Sequence, residues 1–391
     1  MIDGKRGSSN VPEGWKGTRL EEIARIKSGS TPSRAQGERY FDANGTPWVK
    51  TMDLNNGYID ETDESITDDA LRESACSVFP QGSVLVAMYG GYNQIGRTGL
   101  LRVDAAVNQA ISALQISSND AISEYVLHWL NTHVDVWKQF AASSRKDPNI
   151  TRKDVCGFPI LLPPLEEQRK IAAILSAWDE AIEQQTRLIE LKRERKRGLM
   201  QQLLTGRLRF TEFAGLEWGT KSFENTYRTV NGKKYQIQKA DYADAGAFPV
   251  VDQGQSQIAG FTDNTNVFDD VPIIVFGDHT RIIKWVDFPF AVGADGTQLL
   301  KTANGIDQNF GFYLLQTAKL PNLGYSRHMR ELKQKTLFIP TSFEEQQKIA
   351  TVLSVADAEL ETLTAQLAAL KTQKRGMMQR LLTGKTRVQV A

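Results

Sequence analysis

The chain contains one 41-residue segment twice. Residues 166–206 read EEQRKIAAILSAWDEAIEQQTRLIELKRERKRGLMQQLLTG, and residues 344–384 read EEQQKIATVLSVADAELETLTAQLAALKTQKRGMMQRLLTG. The copies align without a gap, from Glu166 with Glu344 to Gly206 with Gly384, and 20 positions are identical. A larger segment precedes each copy, and these two larger segments differ in sequence. This layout predicts a protein that performs one task twice, on two different targets.

Each copy carries apolar residues at alternating steps of three and four, which is the heptad pattern of a coiled-coil helix. Acidic residues at the start, basic residues near the end and a closing glycine suit a long helix, roughly 60 Å in length. Polar residues interrupt the pattern at Gln185, Lys192, Lys196 and Lys374. The predicted seam comprises Ile171, Leu175, Trp178 and Ile182 in the first copy and Ile349, Leu353, Leu360, Leu363, Leu367 and Leu370 in the second.

The two seams need partners, and three arrangements are open. The copies pair with each other in one chain, they pair between two chains, or they are unrelated amphipathic surface helices. An antiparallel pair within one chain would place one larger segment at each end of a rod, whereas a parallel pair would crowd both at one end. The shared heptad phase favours pairing of the copies with each other.

The composition sets broad limits. A chain of 391 residues with 41% hydrophobic and 24% charged residues predicts two or three globular domains. The net charge of +1 gives no argument for nucleic acid by itself. Cys76 and Cys156 are too few for a disulfide framework and form no metal-binding pair, which fits a reducing cytoplasm. We expect no secretory signal and no membrane span.

The larger segments read as mixed globules. Strand-like apolar runs occur at residues 83–89, 272–276 and 281–286, and a helical pattern occurs at 122–140. The predicted fold class is α+β, with two globular domains separated by two long helices that form an antiparallel coiled coil. The predicted boundaries are 1–164 for the first globular domain, 165–207 for the first helix, 208–342 for the second globular domain, and 343–391 for the second helix and tail.

Short motifs follow one another along the chain, and those of the repeat occur twice. The motifs are PPLEEQ at 163–168, KIA at 170–172, KRG at 196–198, LLTG at 203–206 and again at 381–384, PEGW at 12–15, GSTP at 29–32, PWVK at 47–50, NGYI at 56–59, GSVL at 82–85, VFGDHTR at 275–281 and VGADGT at 292–297. In these motifs the chain resembles the specificity subunit of a type I restriction–modification system. The resemblance covers nearly the whole chain, and its specificity comes from the order of the motifs and their double occurrence.

The resemblance implies two target-recognition domains, each of which recognises one half of a split, asymmetric site in double-stranded DNA. It implies that the repeat helices pair antiparallel and fix the gap between the half-sites. It also implies two methylating subunits as partners, which transfer a methyl group from S-adenosylmethionine to adenine N6, and motor-nuclease restriction subunits. S-adenosylmethionine, ATP and magnesium would then belong to those partners, and this chain would need no cofactor.

Catalytic signatures are absent from the sequence. An adenine methyltransferase needs an Asn-Pro-Pro-Tyr or Asp-Pro-Pro-Tyr run, and neither occurs. No glycine-rich nucleotide motif occurs, and His128 and His133 are poorly spaced as metal ligands on one helical face. We expect no catalytic residue and no metal ligand, so a fused enzyme with its own methyltransferase or nuclease activity is disfavoured. The main alternative is a coiled-coil scaffold that binds proteins without DNA specificity.

Candidate DNA contacts are basic, amide and hydroxyl side chains in loops, since Lys and Arg bind phosphates and Arg, Asn and His recognise base edges. Two clusters occupy equivalent places before the repeat copies, and Arg152 and Arg330 have the same spacing as the copies themselves. For every candidate, a solvated loop or a structural turn is the competing interpretation. The candidates are Lys50; Tyr89, Tyr92, Asn93 and Arg97; Ser144, Arg145, Lys146 and Arg152; His279, Thr280 and Arg281; and Tyr325, Ser326, Arg327, His328 and Arg330.

Overall fold

The computed structural model describes residues 11–91, 93–141, 149–321 and 326–389. The chain divides into two compact units, one formed by residues 1–186 with 366–391 and the other by residues 187–365. Both divisions fall inside long helices, so each unit contains part of both. No helix in the described part of the chain combines the length and apolarity that a membrane span requires.

Unit 1 mixes short strands with short helices. Its core is buried, and the predicted strand at residues 83–89 and the predicted helical region at 122–140 are confirmed. The elements are β1 (Lys16–Arg19), α1 (Leu20–Ile23), β2 (Ala24–Ser28), β3 (Phe41–Val49), β4 (Tyr58–Ile59), β5 (Ser65–Ile66), α2 (Asp68–Glu73), β6 (Val78–Phe79), β7 (Val84–Ala87), β8 (Thr98–Leu101), β9 (Ala105–Val107), β10 (Ile111–Ile116), α3 (Ser123–Thr132), α4 (Val134–Ala141), α5 (Arg152–Cys156) and β11 (Pro159–Leu162), with a 3₁₀ helix at Arg34–Arg39.

In the described residues of unit 1, the strands form three sheets. A five-stranded sheet has the order β2-β10-β7-β8-β4, and a four-stranded sheet has the order β5-β3-β9-β6. The third is a two-stranded antiparallel ribbon of β1 and β11, which directly precedes the first long helix. All four residues of β7 are buried, as expected for a central strand with both faces covered.

Unit 2 is built on the same general plan with different strands. Its elements are β12 (Trp218–Ser222), α7 (Phe223–Thr226), β13 (Tyr227–Val230), β14 (Phe248–Val251), β15 (Gly260–Thr262), β16 (Ile273–Gly277), β17 (Ile283–Val286), β18 (Ala291–Val292), β19 (Thr297–Thr302), α8 (Gln308–Gln316), α9 (Met329–Lys333) and β20 (Thr336–Pro340), with 3₁₀ helices at Thr211–Phe213, Lys233–Tyr235 and Lys239–Asp241. The sheets have the orders β13-β19-β16-β17 and β15-β14-β18, and β12 pairs with β20 in an antiparallel ribbon before the second long helix.

The repeat copies form α6 (Leu165–Leu203) and α10 (Phe343–Leu381), each 39 residues long. Both predicted long helices are therefore confirmed, at about 58 Å each. Gly206 and Gly384 follow the helix ends with φ of +68°, the left-handed conformation that favours glycine at a helix stop. Ile171, Leu175, Ile349 and Leu353 are buried, and the other predicted seam residues are half-buried: Trp178, Ile182, Leu360, Leu363, Leu367 and Leu370.

The polar interruptions of the seam carry the polar contacts between the helices. Within unit 1, Lys374 of α10 pairs with Asp179 of α6. Nearby, the Gln185 side-chain amide donates to the Gln366 side-chain oxygen at 3.2 Å. Residue numbers rise along α6 while those of the partners on α10 fall, so the helix segments inside this unit run in opposite directions.

Unit 2 repeats the arrangement with the roles of the helices exchanged. Lys196 of α6 pairs with Asp357 of α10, and Lys192 pairs with Glu359. Lys196 and Lys374 occupy the same position of the repeat, and so do Asp179 and Asp357. One lysine–aspartate pair is therefore used once in each unit.

A buried glutamate carboxylate lies in the first turn of each long helix. Glu167 is 2% exposed and Glu345 is fully buried. In unit 1, Arg387 donates from Nε and Nη2 to the two oxygens of Glu167 at 2.7 and 2.8 Å, and the Trp15 indole donates to it at 3.2 Å. This hydrogen bonding raises the pKa of Arg387.

In unit 2, Arg209 binds Glu345 in the same two-pronged manner at 2.9 and 2.8 Å. The Trp218 indole donates to Glu345 at 3.3 Å. Arg209 and Arg387 again have the spacing of the repeat copies, and each follows the end of the opposite long helix. We call each arginine–glutamate pair, with its tryptophan, a clasp.

The glutamine after each buried glutamate ties its helix to the globular part of the unit. Gln168 donates to the carbonyl oxygens of Pro163 and Asp120 and accepts from the Ile122 amide at 3.1 Å. Gln346 donates to the carbonyl oxygens of Pro340 and Gly305, and it accepts from the Asp307 amide at 2.8 Å. The repeated Glu-Glu-Gln motif is therefore explained by structure, with no need for catalysis.

Glu167→Gln should destabilise unit 1 by about 2 kcal/mol, because it removes a charge-assisted hydrogen bond from Arg387 and turns a buried amide donor toward the guanidinium. The neighbouring Glu166 is exposed, so Glu166→Gln is the matched control and should change stability by about 0.5 kcal/mol or less. Urea unfolding followed by circular dichroism measures both. Equal effects of the two substitutions would contradict the assigned role of the clasp.

His128, on α3 and 1% exposed, should make unit 1 less stable in mild acid. Burial, and then the charge of Lys374, lower the pKa of His128 to about 3 from 6.5. Its Nδ1 lies 3.8 Å from Asp179, but that carboxylate is already paired with Lys374. At a pH between these two pKa values, His128 is protonated in the unfolded chain and neutral in the folded chain. The free energy of unfolding should therefore fall as the pH drops below about 6.5, by up to about 1.4 kcal/mol per pH unit.

Urea midpoints measured from pH 7.5 to pH 4 check this dependence. His128→Gln removes the titrating group, so the variant should show a shallower fall than the wild-type chain. An identical slope in the variant would show that other groups cause the acid sensitivity.

Candidate nucleic-acid interface

In unit 1, the turn between β7 and β8 carries one of the predicted clusters. Tyr89 is 44% exposed and Asn93 is exposed, while Arg97 is half-buried at the far side of the turn. Gly90 and Gly91 have φ of +114° and +74°, values that a side chain at either position would strain. The turn therefore exposes the Tyr89 ring and the Asn93 side-chain amide, and its backbone conformation requires glycine at positions 90 and 91.

Packing fixes the base of this turn. A Cβ on Gly96 would lie 2.3 Å from the Trp137 ring of α4, so glycine is needed for this close approach. The Ile150 amide donates to the Met88 carbonyl at 3.0 Å, which joins the turn to the chain that leads into α5. Arg152 is exposed at the start of α5. The structure thus brings Arg152 and the Tyr89 turn into one region.

Lys50 follows β3 and faces carboxylates. Its ammonium donates to Glu64 at 2.8 Å and lies 3.6 Å from Asp63, and the Glu64 hydrogen bond raises the pKa of Lys50. Arg34 also donates to Glu64, at 2.5 Å. Lys50 is therefore held in a local ion-pair network, in which its charge is largely matched by protein groups.

In unit 2, the turn between β16 and β17 is joined to residues 326–330. Asp278, the first residue after β16, is 3% exposed. Its carbonyl accepts from the His328 amide at 2.8 Å, and its carboxylate accepts from the Met329 amide at 2.7 Å. His328 is fully buried, whereas Arg327 and Arg330 are exposed. His328 therefore supports the segment, and the two arginines form its surface.

The three predicted residues of the same turn make contacts inside the protein. The His279 amide donates to the Gln253 side-chain oxygen at 3.1 Å, and the Thr280 hydroxyl donates to the Gln253 carbonyl at 2.6 Å. Arg281 donates to the Leu320 carbonyl at 3.4 Å. This turn is thus fastened to the neighbouring loop that follows β14.

The two units share this construction. Ile150 and His328 have the spacing of the repeat copies, and the amide of each donates to the first residue after a buried strand. In each unit the contact joins a strand-to-strand turn to the segment before a short helix, which carries Arg152 in α5 and Arg330 in α9. The equivalence predicted from the positions of Arg152 and Arg330 therefore has a counterpart in the backbone.

Several predicted contacts fall outside the described residues: Tyr92, Ser144, Arg145, Lys146 and Tyr325. Ser326 is half-buried at the start of the described segment. The sequence reasoning did not find Gln253, whose contacts organise the unit 2 turn, because its partners are distant along the chain. Within residues 11–91, 93–141, 149–321 and 326–389 there is no group of three or more His, Cys, Asp or Glu side chains that could hold a metal ion.

Comparison with known proteins gives the class. The family model described as "Type I restriction modification DNA specificity domain" matches residues 12–193 and 227–372, which is most of the chain. The chain therefore belongs to the family of type I restriction–modification specificity subunits. It is a DNA-sequence specificity subunit, a class of protein that lacks catalytic activity of its own.

Two relatives carry the same description, one matching nearly the whole chain and the other less than half of it. The chain is 24% identical over 408 residues to the putative type I restriction enzyme MjaX specificity subunit of Methanocaldococcus jannaschii, covering 97% of this chain and 95% of the relative. It is 25% identical over 167 residues to the EcoR124I/EcoR124II specificity subunit of Escherichia coli, covering 42% of this chain and 40% of the relative.

Solved structures support the same fold. The S subunit of a type I system from M. genitalium matches with a TM-score of 0.65 at 15% identity, covering 96% of this chain and 98% of the other. A second structure comes from a study described as "structural basis underlying complex assembly and conformational transition of the type I R-M system". It matches with a TM-score of 0.55 at 17% identity and covers 96% of this chain and 99% of the other. The prediction of mixed helix and strand content is confirmed.

Proposed function

We propose that this chain recognises a split DNA site with two unlike halves, one half by each unit. The observation that carries the proposal is the construction shared by the two units: a strand-to-strand turn joined to a segment with an exposed arginine. The framework is repeated, but the exposed residues differ, with Tyr89 and Asn93 in unit 1 and Arg327 in unit 2. Two identical recognition units would suit a palindromic DNA site, whereas two unlike units suit an asymmetric site.

The long helices, in this proposal, pair within one chain as an antiparallel coiled coil and set the gap between the half-sites. Support comes from the polar contacts inside each unit, where Asp179 meets Lys374 and Lys196 meets Asp357. The clasps add a second argument, since each arginine beyond one helix neutralises the glutamate at the start of the other. Pairing between chains would have to reproduce all of these contacts.

The proposed partners are double-stranded DNA, two methylating subunits and motor-nuclease restriction subunits, in the cytoplasm. This chain would supply recognition and hold no cofactor. S-adenosylmethionine, ATP and magnesium would be bound by the partners, which would carry out adenine N6 methylation and DNA cleavage. This division of labour rests on membership of the specificity-subunit family.

Mapping of N6-methyladenine on DNA treated with the chain and its methylating subunits tests the proposed function. The expected result is a motif with two unlike half-sites at a fixed gap, because two different readers are held on one chain. DNA treated with the methylating subunits alone is the control and should lack that motif. A continuous or palindromic motif would contradict recognition by two unlike units.

Chemical cross-linking tests pairing within one chain. With Cys76 and Cys156 changed to alanine, Gln185→Cys and Gln366→Cys should be joined by a short bis-maleimide into a cross-linked monomer, since these side chains are in contact. The yield should not depend on protein concentration. Gln184→Cys with Gln366→Cys is the matched control, because Gln184 is exposed one position around the helix. Cross-linked dimers as the main product would contradict pairing within the chain.

A further inference from the structure

The loop after β14 in unit 2, residues 252–257, reads Asp-Gln-Gly-Gln-Ser-Gln. It carries three exposed polar side chains in a row, Gln255, Ser256 and Gln257. A glutamine amide offers a donor and an acceptor side by side, which matches the acceptor and donor pair of adenine in the major groove. None of these residues was among the candidates taken from the sequence.

A buried lysine on a neighbouring strand binds the backbone of this loop. Lys284 of β17 is 4% exposed, and its ammonium donates to the carbonyl oxygens of Asp252 at 2.7 Å and Ser256 at 2.6 Å. Lysine is rarely buried, because its charge loses hydration, and here burial lowers the pKa of Lys284. The Asp252 carboxylate lies 3.7 Å away and offsets part of this cost. The ammonium therefore holds the two ends of the loop at a fixed separation.

Gln253 joins the loop to two neighbouring turns by hydrogen bonds. Its oxygens accept from the His279 amide and the Thr280 hydroxyl, and its amide donates to the Asp295 carbonyl at 2.8 Å. A Cβ on Gly277 or Gly296 would come within 3.0 Å of Gln253 atoms, so two neighbouring turns close tightly around this side chain. The turn predicted to contact DNA, residues 279–281, thus braces the loop that follows β14.

We propose that residues 253–257 form the base-recognising loop of unit 2, with Gln255 as a specificity-determining residue and Lys284 as a positioning residue. This inference rests on the proposed function, because it assigns the residues that recognise one half-site. Lys284 and Gln253 remove the freedom of the loop before DNA arrives, so that the exposed amide of Gln255 meets a base edge at little entropic cost. Arg327 and Arg330 lie in the segment joined through Asp278 and supply positive charge for phosphates.

The test uses the complex of the full chain with its methylating subunits and duplex DNA libraries in which each half-site is randomised in turn. Gln255→Ala should relax the requirement at one base pair of one half-site by about tenfold or more, while the other half-site stays unchanged. Gln334→Ala, an exposed glutamine outside the loop, is the matched control and should leave every position unchanged.

Lys284→Met should broaden the preference across that same half-site, because the loop loses its anchor. Urea unfolding shows whether this variant remains folded, and the exposed position of Gln255 keeps the first test independent of folding. An unchanged preference profile in Gln255→Ala, or an equal loss on all sequences, would overturn the inference. A wild-type complex without any sequence preference would instead overturn the proposed function, so the two failures are distinguishable.

Discussion

The structure depends on neutralising two buried carboxylates, Glu167 and Glu345. Each begins a long helix, and each is bound on both oxygens by an arginine that lies beyond the end of the other long helix. A carboxylate this deeply buried is costly without its partner. The start of one helix must therefore lie beside the end of the other within each unit. Within each unit, the segments of α6 and α10 run in opposite directions, as this requirement demands.

The contacts that hold the framework are repeated in the two units, whereas the exposed loop residues differ between them. The clasps, the glutamines after them and the lysine–aspartate pairs recur at equivalent positions of the repeat, and they hold helices and backbone. The loops that differ carry the exposed Tyr89 and Asn93 in unit 1 and exposed glutamines and arginines in unit 2. Under the proposed function, the loops that recognise DNA would be able to change while the framework keeps its own contacts.

Much of the architecture was predictable from the sequence because helix signals are local and periodic. The heptad positions from Ile171 to Leu370 are all buried or half-buried, and the glycine stops lie where expected. The interruptions at Lys196 and Lys374 read as defects in the pattern, but they carry the ion pairs between helices. Their meaning depends on partners in the other long helix, far away along the chain, which periodicity does not reveal.

The candidate interface was predicted less completely for the same reason. The equivalence of Arg152 and Arg330 followed from the repeat offset, but the internal contacts of Lys50, Thr280 and Arg281 depend on tertiary neighbours. His328 belongs to a promising basic motif and is nevertheless fully buried. Gln253 and Lys284 carried no local signal, since a lysine in a strand is ordinarily exposed and its burial becomes visible only after folding.

In the proposed function, the two long helices fix the distance between two unlike DNA-recognising units. One heptad inserted after residue 186 and another after residue 365 would lengthen both helices together and preserve their pairing. Because a heptad adds about 10.5 Å of helix and DNA rises about 3.4 Å per base pair, mapped methylation should show a gap longer by about three base pairs. Both half-sites should be unchanged. An unchanged gap, or altered half-sites, would contradict the account.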